Sequence, residues 1–449
     1  MTHTTANEPA HPSSFDAHHP PEKEHIDDCV HCGFCLPACP TYVLWGEEMD
    51  SPRGRIYMIK KASEGAAPLD AQFRRHMDNC LGCMACMTAC PSGVEYNKLI
   101  EPTRAQIERN LPRSLCDRLF RGLIFATFPH PRRLRLLAAP LRVYQKSGLR
   151  GLVRGSGVLK ILPKRLRAME ALLPEVPPRR SHPLQLIPKP EKIRRRVGML
   201  TGCVQQVFFP HVNAATARVL AAEGCEVIIP PDQPCCGALM VHSGLETRAS
   251  EMARKIIAAF ESTQVDTIVI NSAGCGSTMK EYGYLLRDDP HWADRAAAFS
   301  AKCRDVAEIL CELEPQAKRN PLKMRVAYHD ACHLQHAQGV QTQPRRLLAG
   351  IPELQVAEIL ESSLCCGSAG VYNLLEPDAA NELGARKVDN LLTTHADAVL
   401  SANPGCLLQL MNGLRRRGMQ EMPAFHLVEL LDASIRGVHA DALLHPHKS

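Results

Sequence analysis

Two short cysteine runs restrict this chain more than anything else in it. They read Cys29-Val-His-Cys32-Gly-Phe-Cys35-Leu-Pro-Ala-Cys39-Pro40 and Cys80-Leu-Gly-Cys83-Met-Ala-Cys86-Met-Thr-Ala-Cys90-Pro91, both with the spacing C-x2-C-x2-C-x3-C-P. Two residues between thiolates let one tight loop wrap three iron corners of a cubane, while the fourth cysteine is carried off to ligate the other cluster. The spacing therefore assigns Cys29, Cys32, Cys35 and Cys90 to one [4Fe-4S] cluster and Cys80, Cys83, Cys86 and Cys39 to a second. Structural zinc takes C-x2-C pairs separated by a longer span, not three cysteines in seven residues. Crossed ligation also brings the two clusters close, which suits serial electron hops.

The chain holds 20 cysteines in 449 residues. Its opening, MTHTTANEPAHPSSFDAHHP, has neither the basic start nor the apolar stretch of an export signal. No run of eighteen apolar residues predicts a spanning helix. The expected location is cytoplasmic, peripheral on the inner face of the cell membrane at most, and there thiols signal metal binding or catalysis rather than disulfides. Length predicts two to four domains. Residues 1–24, rich in His, Pro, Ser and Thr without periodicity, read as a disordered tail, and 25–111 as the cluster-binding domain.

Charge is unevenly spread. Pro112 to Arg196 carries 21 Lys+Arg against 4 Asp+Glu, a local +17 that leaves −11 for the rest of a chain totalling +6. Such asymmetry points to an acidic partner, a nucleic acid or an anionic membrane surface. Residues 112–196 read as a basic linker in which many prolines, Pro129, Pro131 and Pro140 among them, allow only short amphipathic helices.

From Val197 the chain repeats itself. Cys203, Cys235-Cys236 and Cys275 recur as Cys332, Cys365-Cys366 and Cys406; RVGMLTGC answers RVAYHDAC, and PCCGALM answers LCCGSAG. This is duplication of a whole domain, 197–320 and 321–449. Each copy alternates strand-like runs with helical patterns, which predicts parallel α/β units. The expected class is α+β overall: a mostly helical ferredoxin-like domain, then a duplicated α/β cysteine-rich pair. Cys203 and Cys275 fall just past strand ends, where ligands gather in open α/β sheets.

Adjacent thiolates such as Cys235-Cys236 strain at one iron but can contact neighbouring irons. The eight repeat cysteines thus offer an additional metal or iron–sulfur site, one per half or shared; a buried pair or a vicinal disulfide stays open. Cys116, Cys225, Cys303 and Cys311 read as ordinary buried thiols. His329, Asp330, His333 and His336 surround Cys332, where a histidine either tunes a cluster or is a satisfied loop residue. Arg53 and Arg55 in SPRGRIYMIK either favour the reduced state of nearby clusters or start a solvated helix. No G-x-G-x-x-G follows a strand and no Walker sequence appears, so no flavin is expected in this chain.

These residues resemble a known family. CVHCGFCLPACPTYVLWGEEMDSPRGRIYMIK, CMTACPSGVEYNKL, NAATARVL, SAGCGSTMKEYG, LQHAQ and LCCGSAGVYNL are similar to the iron–sulfur subunit of bacterial glycolate oxidase, in the same order from about Ile26 to Leu431. The resemblance implies a glycolate dehydrogenase subunit with no catalytic residue of its own. FAD-binding subunits oxidise glycolate to glyoxylate, and this chain passes electrons to a quinone or other acceptor. Two ferredoxin cubanes followed by two CCG domains are also the plan of iron–sulfur subunits of glycerol-3-phosphate or lactate dehydrogenases. They are likewise the plan of heterodisulfide reductase subunits, so a thiol–disulfide redox role is the alternative. The full CCG pattern closes with C-x-x-C, whereas Cys275 is followed by Gly-Ser-Thr and Cys406 by Leu-Leu-Gln. That departure counts against a noncubane cluster of the heterodisulfide reductase kind. A regulatory iron–sulfur sensor would need a DNA-reading element, and none is visible, so no nucleic-acid partner is expected.

Overall fold

The computed structural model describes residues 12–177 and 190–445. The chain divides into two compact units, one running to Leu119 with Met240–Glu246 added, the other Phe120–Leu239 with Thr247 onward. The first is helical. Ser51 caps the helix Pro52–Ser63 by accepting the Gly54 N–H at 3.0 Å, and Pro52 sits where its missing N–H costs nothing. Asp70 caps Ala71–Asn79 the same way, accepting the Phe73 N–H at 2.8 Å. These two helices and Asn97–Asn110 pack together over a core that includes Ile59, Phe73, Met77, Leu99 and Ile100.

The reading of 1–24 as a tail is corrected for its described part. Phe15 is buried edge-on against Phe73, and the Asp16 carboxylate takes hydrogen bonds from Arg109 and Asn110. One aromatic and one carboxylate anchor a segment whose composition is otherwise that of a loop. Residues 1–11 lie outside the described ones.

The basic stretch also differs from expectation. It forms helices Leu115–Thr127, Pro131–Lys146, Leu149–Gly155, Val158–Ile161 and Lys164–Ala171. Pro140 lies inside the sixteen-residue one rather than ending it. An interior proline costs about 3 kcal/mol; burial of Leu134 and Ala138 against Val176 and Val207 offsets that here. Pro178, Pro183 and Pro188 lie outside the described residues.

In the second unit the repeats fold into two parallel four-stranded sheets. β1 (Arg195–Met199), β2 (Cys225–Ile228), β3 (Thr267–Ile270) and β4 (Cys303–Asp305) lie in the order β2-β1-β3-β4. β5 (Met324–His329), β6 (Leu354–Glu358), β7 (Ala398–Ser401) and β8 (Ala424–Phe425) lie as β6-β5-β7-β8. Val197 pairs with Val227 and Thr267, and Val326 with Val356 and Ala398, so the central register is the same in both. Strand order reverses between β1 and β3, and again between β5 and β7. Those are the switch points at which an α/β sheet opens a crevice.

The two repeats share one core, and each also has a smaller apolar cluster of its own. One apolar cluster contains Val197, Val219 and Leu310 together with Val326, Leu400 and Leu430. Each half packs a late helix against the other: Val306–Glu312 on Thr342–Ala349, and Leu427–Arg436 on Pro210–Ala222. Arg218 and Asp432 seal the second exchange with paired bonds of 2.8 and 2.7 Å.

Candidate metal centres

In the first unit the eight paired cysteines line two neighbouring cavities. Cys29, Cys32, Cys35 and Cys90 line one; Cys39, Cys80, Cys83 and Cys86 line the other, and Cys86 also reaches the first. Each cavity thus draws three cysteines from one loop and its fourth from the other run. Three thiolates on a tight loop with one brought from afar is the donor set of a cubane.

The surroundings differ sharply. Val30 and Phe34, beside the first set, are largely exposed. At the second, Arg55 is wholly buried with its Nη1 4.0 Å from Cys39 Sγ. Its Nε donates to the His76 carbonyl at 2.7 Å and its Nη2 to Asp50 Oδ1 at 3.1 Å. Asn79 and the His76 ring also meet Asp50 Oδ1, each at 3.1 Å. Arg104 donates to the carbonyls of Met77, at 3.1 Å, and Cys80. Tyr96 points its hydroxyl at Cys80 Sγ, 3.8 Å away, and the Gly82 N–H points there at 3.3 Å. Burial by itself would raise the Cys80 thiol, but Arg55 and Arg104, with these two donors, outweigh it and hold the thiol below its usual range. At the outer site burial dominates and pushes Cys35 up to about 11.

The two arginines of SPRGR therefore serve different sites. Arg53 is partly exposed, bonds Glu48 at 2.7 Å, donates to the His31 carbonyl at 3.3 Å and lines the outer cavity, whereas Arg55 is the buried cation at the second site. Asp50, His76, Tyr96 and Arg104 were not legible as site residues. None stands at a metal-ligand spacing, and only the fold brings them together.

In the second unit each half gathers its own four cysteines. Cys203 and Cys235 lie 3.4 Å apart, and Cys236 contacts Cys235 and Cys275. In the second half Cys332 and Cys365 lie 3.9 Å apart, and Cys366 contacts Cys365 and Cys406. Cys203 and Cys275 follow β1 and β3, and Cys332 and Cys406 follow β5 and β7, so each quartet sits at its sheet's switch point. The glycine of each CCG has a positive φ, 85° at Gly237 and 86° at Gly367, and a Cβ at Gly367 would meet the Ala380 oxygen at 2.6 Å. Thiol–thiol contacts hold Cys235, Cys332 and Cys366 well below the usual range and push their partners Cys203, Cys236, Cys365 and Cys406 well above it. Each quartet therefore brings its sulfurs into mutual contact, most of them buried.

The polar residues around Cys332 separate by role. Asp330 is held by Arg345 at 2.9 and 2.7 Å, and His336 Nε2 lies 3.0 Å from the Ser363 carbonyl, so both serve the loop. His333 Nδ1 is 3.6 Å from Cys332 Sγ. His329 lies within 4.8 Å of both Cys366 and Cys406 sulfurs. Of the four lone cysteines, Cys225 and Cys303 are buried and Cys311 partly so. Cys116 is exposed on an amphipathic helix, correcting its reading as a buried thiol.

Comparison with known proteins agrees along the chain. A 4Fe-4S dicluster domain model matches residues 25–94, and a cysteine-rich domain model matches 197–280 and 326–411. A model for the linker region of the glycolate oxidase iron–sulfur subunit matches 117–173. The probable glycolate oxidase iron–sulfur subunit of Bacillus subtilis is 41% identical over 91% of this chain and 95% of its own length. The chain belongs to the glycolate oxidase iron–sulfur subunit family. The family's Escherichia coli subunit is 36% identical over 86% of this chain and 90% of its own. An uncharacterised iron–sulfur protein of Methanocaldococcus jannaschii is 28% identical over 88% of this chain and 69% of its own. The dicluster match implies two [4Fe-4S] clusters in the first unit. Among the described residues no helix is long and apolar enough to cross a membrane.

Proposed function

We propose that this chain relays electrons, one at a time, from a flavin-bearing partner that oxidises glycolate to glyoxylate towards a quinone or another acceptor. The observation that carries this is the pair of neighbouring cysteine cavities that share Cys86. Cys29, Cys32, Cys35 and Cys90 hold the outer cubane; Cys80, Cys83, Cys86 and Cys39 hold the inner one. When bound, such clusters supply one-electron transfer, which a two-electron flavin needs downstream. The largely exposed Val30 and Phe34 leave the outer site accessible to a partner, while Arg55 and Arg104 favour extra negative charge on the inner one. The two CCG quartets, Cys203, Cys235, Cys236, Cys275 and Cys332, Cys365, Cys366, Cys406, form further metal sites, and the mutual contacts of their mostly buried sulfurs support this.

The basic segment is the proposed contact with an anionic membrane surface, where a quinone resides. Leu123, Leu136, Leu137, Val143, Leu152 and Ile161 stand exposed among its arginines and lysines.

The test is activity by reconstitution. The anaerobically purified chain alone should contain about eight irons in the paired motifs and should not reduce a dye with glycolate; adding the flavoprotein partner should restore turnover. Stoichiometric flavin and turnover in the isolated chain would overturn the relay.

A further inference from the structure

The two CCG quartets are not equivalent, although the sequence repeat makes them look so. Neither half has the cysteine that would close C-x-x-C: Thr278 and Gln409 stand at those positions. Gln409 is tied into the fold, donating to the Ala380 carbonyl at 2.8 Å and accepting from Asn373 at 3.2 Å, so it does not face the sulfurs as a donor. The offset of 129 residues that carries Cys203 onto Cys332 carries Leu200 onto His329. Leu200 is buried among the first quartet's apolar neighbours. His329, at the end of β5, is 1% exposed, and its ring nitrogens meet no oxygen or nitrogen partner among the described residues; the group that it faces is the Cys366 sulfur. A buried imidazole turned towards sulfur and away from every other polar group is costly unless something stronger occupies one of its nitrogens.

The geometry says what. One ring nitrogen and the Sγ atoms of Cys366 and Cys406 all lie within 4.8 Å of one another, and all three residues are buried. Around a single tetrahedral metal with bonds of about 2.0 Å to nitrogen and 2.3 Å to sulfur, such donors stand about 3.5–3.8 Å apart. Small side-chain movements close the difference.

We infer that His329, Cys366 and Cys406 bind one first-row metal atom, iron or zinc, making the second half a mixed imidazole–thiolate centre while the first half has thiolates alone. This rests on reading the quartets as metal sites and deepens it: the histidine takes the place of the missing fifth cysteine in one half only. A neutral imidazole in place of a thiolate removes a negative charge from the centre, so for iron it raises the potential at which the centre accepts an electron.

The experiment uses the full chain, purified anaerobically with ¹⁵N-labelled histidine, as wild type and as His329→Leu, His329→Cys and Cys203→Ser. Leu is the residue that the fold already accommodates at the corresponding position of the first half. Metal content is read by elemental analysis. Nitrogen ligation is read by pulsed paramagnetic resonance if the extra metal is iron and by X-ray absorption at the zinc edge if it is zinc. Wild type should carry metal beyond the eight irons of the paired motifs, with one histidine nitrogen bound. His329→Leu should lose that nitrogen signal and give up the metal to a chelator at least about tenfold more readily, and His329→Cys should keep the metal without the nitrogen signal. Extra metal in wild type with sulfur ligands only, unaffected by His329→Leu but lost in Cys203→Ser, overturns this inference and leaves the quartets as metal sites. No metal beyond eight irons overturns both.

Discussion

Arg55 is a fully buried cation placed at 4.0 Å from one inner-site sulfur and braced by Asp50 and the His76 carbonyl. Reduction adds an electron beside that cation, so the inner cluster should be the easier of the two to reduce. Arg55→Gln should lower its midpoint potential by roughly 60–120 mV, one to two factors of ten at 59 mV each. Arg55→Lys should fall between, and the outer cluster should move far less; a redox titration followed by paramagnetic resonance separates the two signals. Equal shifts in both clusters would contradict this placement. Asp305 supplies a second residue-level prediction. It caps Val306–Glu312 through one oxygen, while its other carboxylate oxygen is buried without a hydrogen-bond partner, and burial raises its pKa from 3.8 to about 7. A carboxyl raised in the folded state is neutral there while the unfolded chain ionises. Its contribution is fully present below about pH 4 and is lost as pH rises through 7, a few kcal/mol by linkage, order of magnitude only. Asp305→Asn removes that loss and keeps a good cap. Its melting temperature relative to wild type should therefore climb between pH 5 and pH 8; a pH-independent difference would refute the assignment. At this scale the sequence shows the ligands but not their surroundings. Cysteine spacing is a local pattern, whereas the meeting of Asp50, His76, Tyr96 and Arg55 depends on how three helices cross.

The strands of both repeats are legible in their apolar runs, and Cys203, Cys275, Cys332 and Cys406 fall past strand ends as expected. What a linear pattern does not convey is which core a helix joins. Leu427–Arg436 buries Leu427, Val428, Leu430 and Leu431, and those residues would suit either half equally well. The choice is made by the groove beside Pro210–Ala222 and by the Arg218–Asp432 pair. The exchange predicts that neither half folds alone. A chain of residues 321–449 lacks the surface that receives Leu427–Arg436, and loses the burial of four large side chains worth about 1.5–3 kcal/mol each. By circular dichroism and proteolysis it should be open and aggregation-prone, while the chain carrying both halves is protected. A cooperative melt of the isolated half would disprove the exchange as a requirement. Pro140 teaches the same lesson in reverse. Local propensity argues for a break, and burial of Leu134 and Ala138 carries the helix through it.

At the scale of the whole chain, the +17 of the basic stretch is partly answered within the protein. Arg132 pairs with Asp232, and Lys164 with Asp378. Exposed pairs of this kind contribute little, and the apolar side chains between them remain uncovered in the chain by itself. The full chain should co-sediment with anionic vesicles at low salt and release as ionic strength rises through the range where the Debye length falls below about 10 Å. Changing Arg132, Arg133, Arg135 and Arg142 to Gln should weaken that binding several-fold with both cubanes intact. Absence of sedimentation at low salt, with or without the flavoprotein, would leave the charge to internal pairing alone. Charge asymmetry was legible from composition; which of its members are already engaged was not, because Asp232 and Asp378 are far away in sequence. The exchange of terminal helices also sets an order in time. Pro210–Ala222 leaves the ribosome long before Leu427–Arg436 exists to cover it. At 5–20 residues per second, the roughly 200 residues between them take about 10–40 s to synthesise. Throughout that interval the first half presents an apolar face that its own chain has not yet supplied the means to cover. That face must therefore be shielded by something other than this chain until translation has nearly finished.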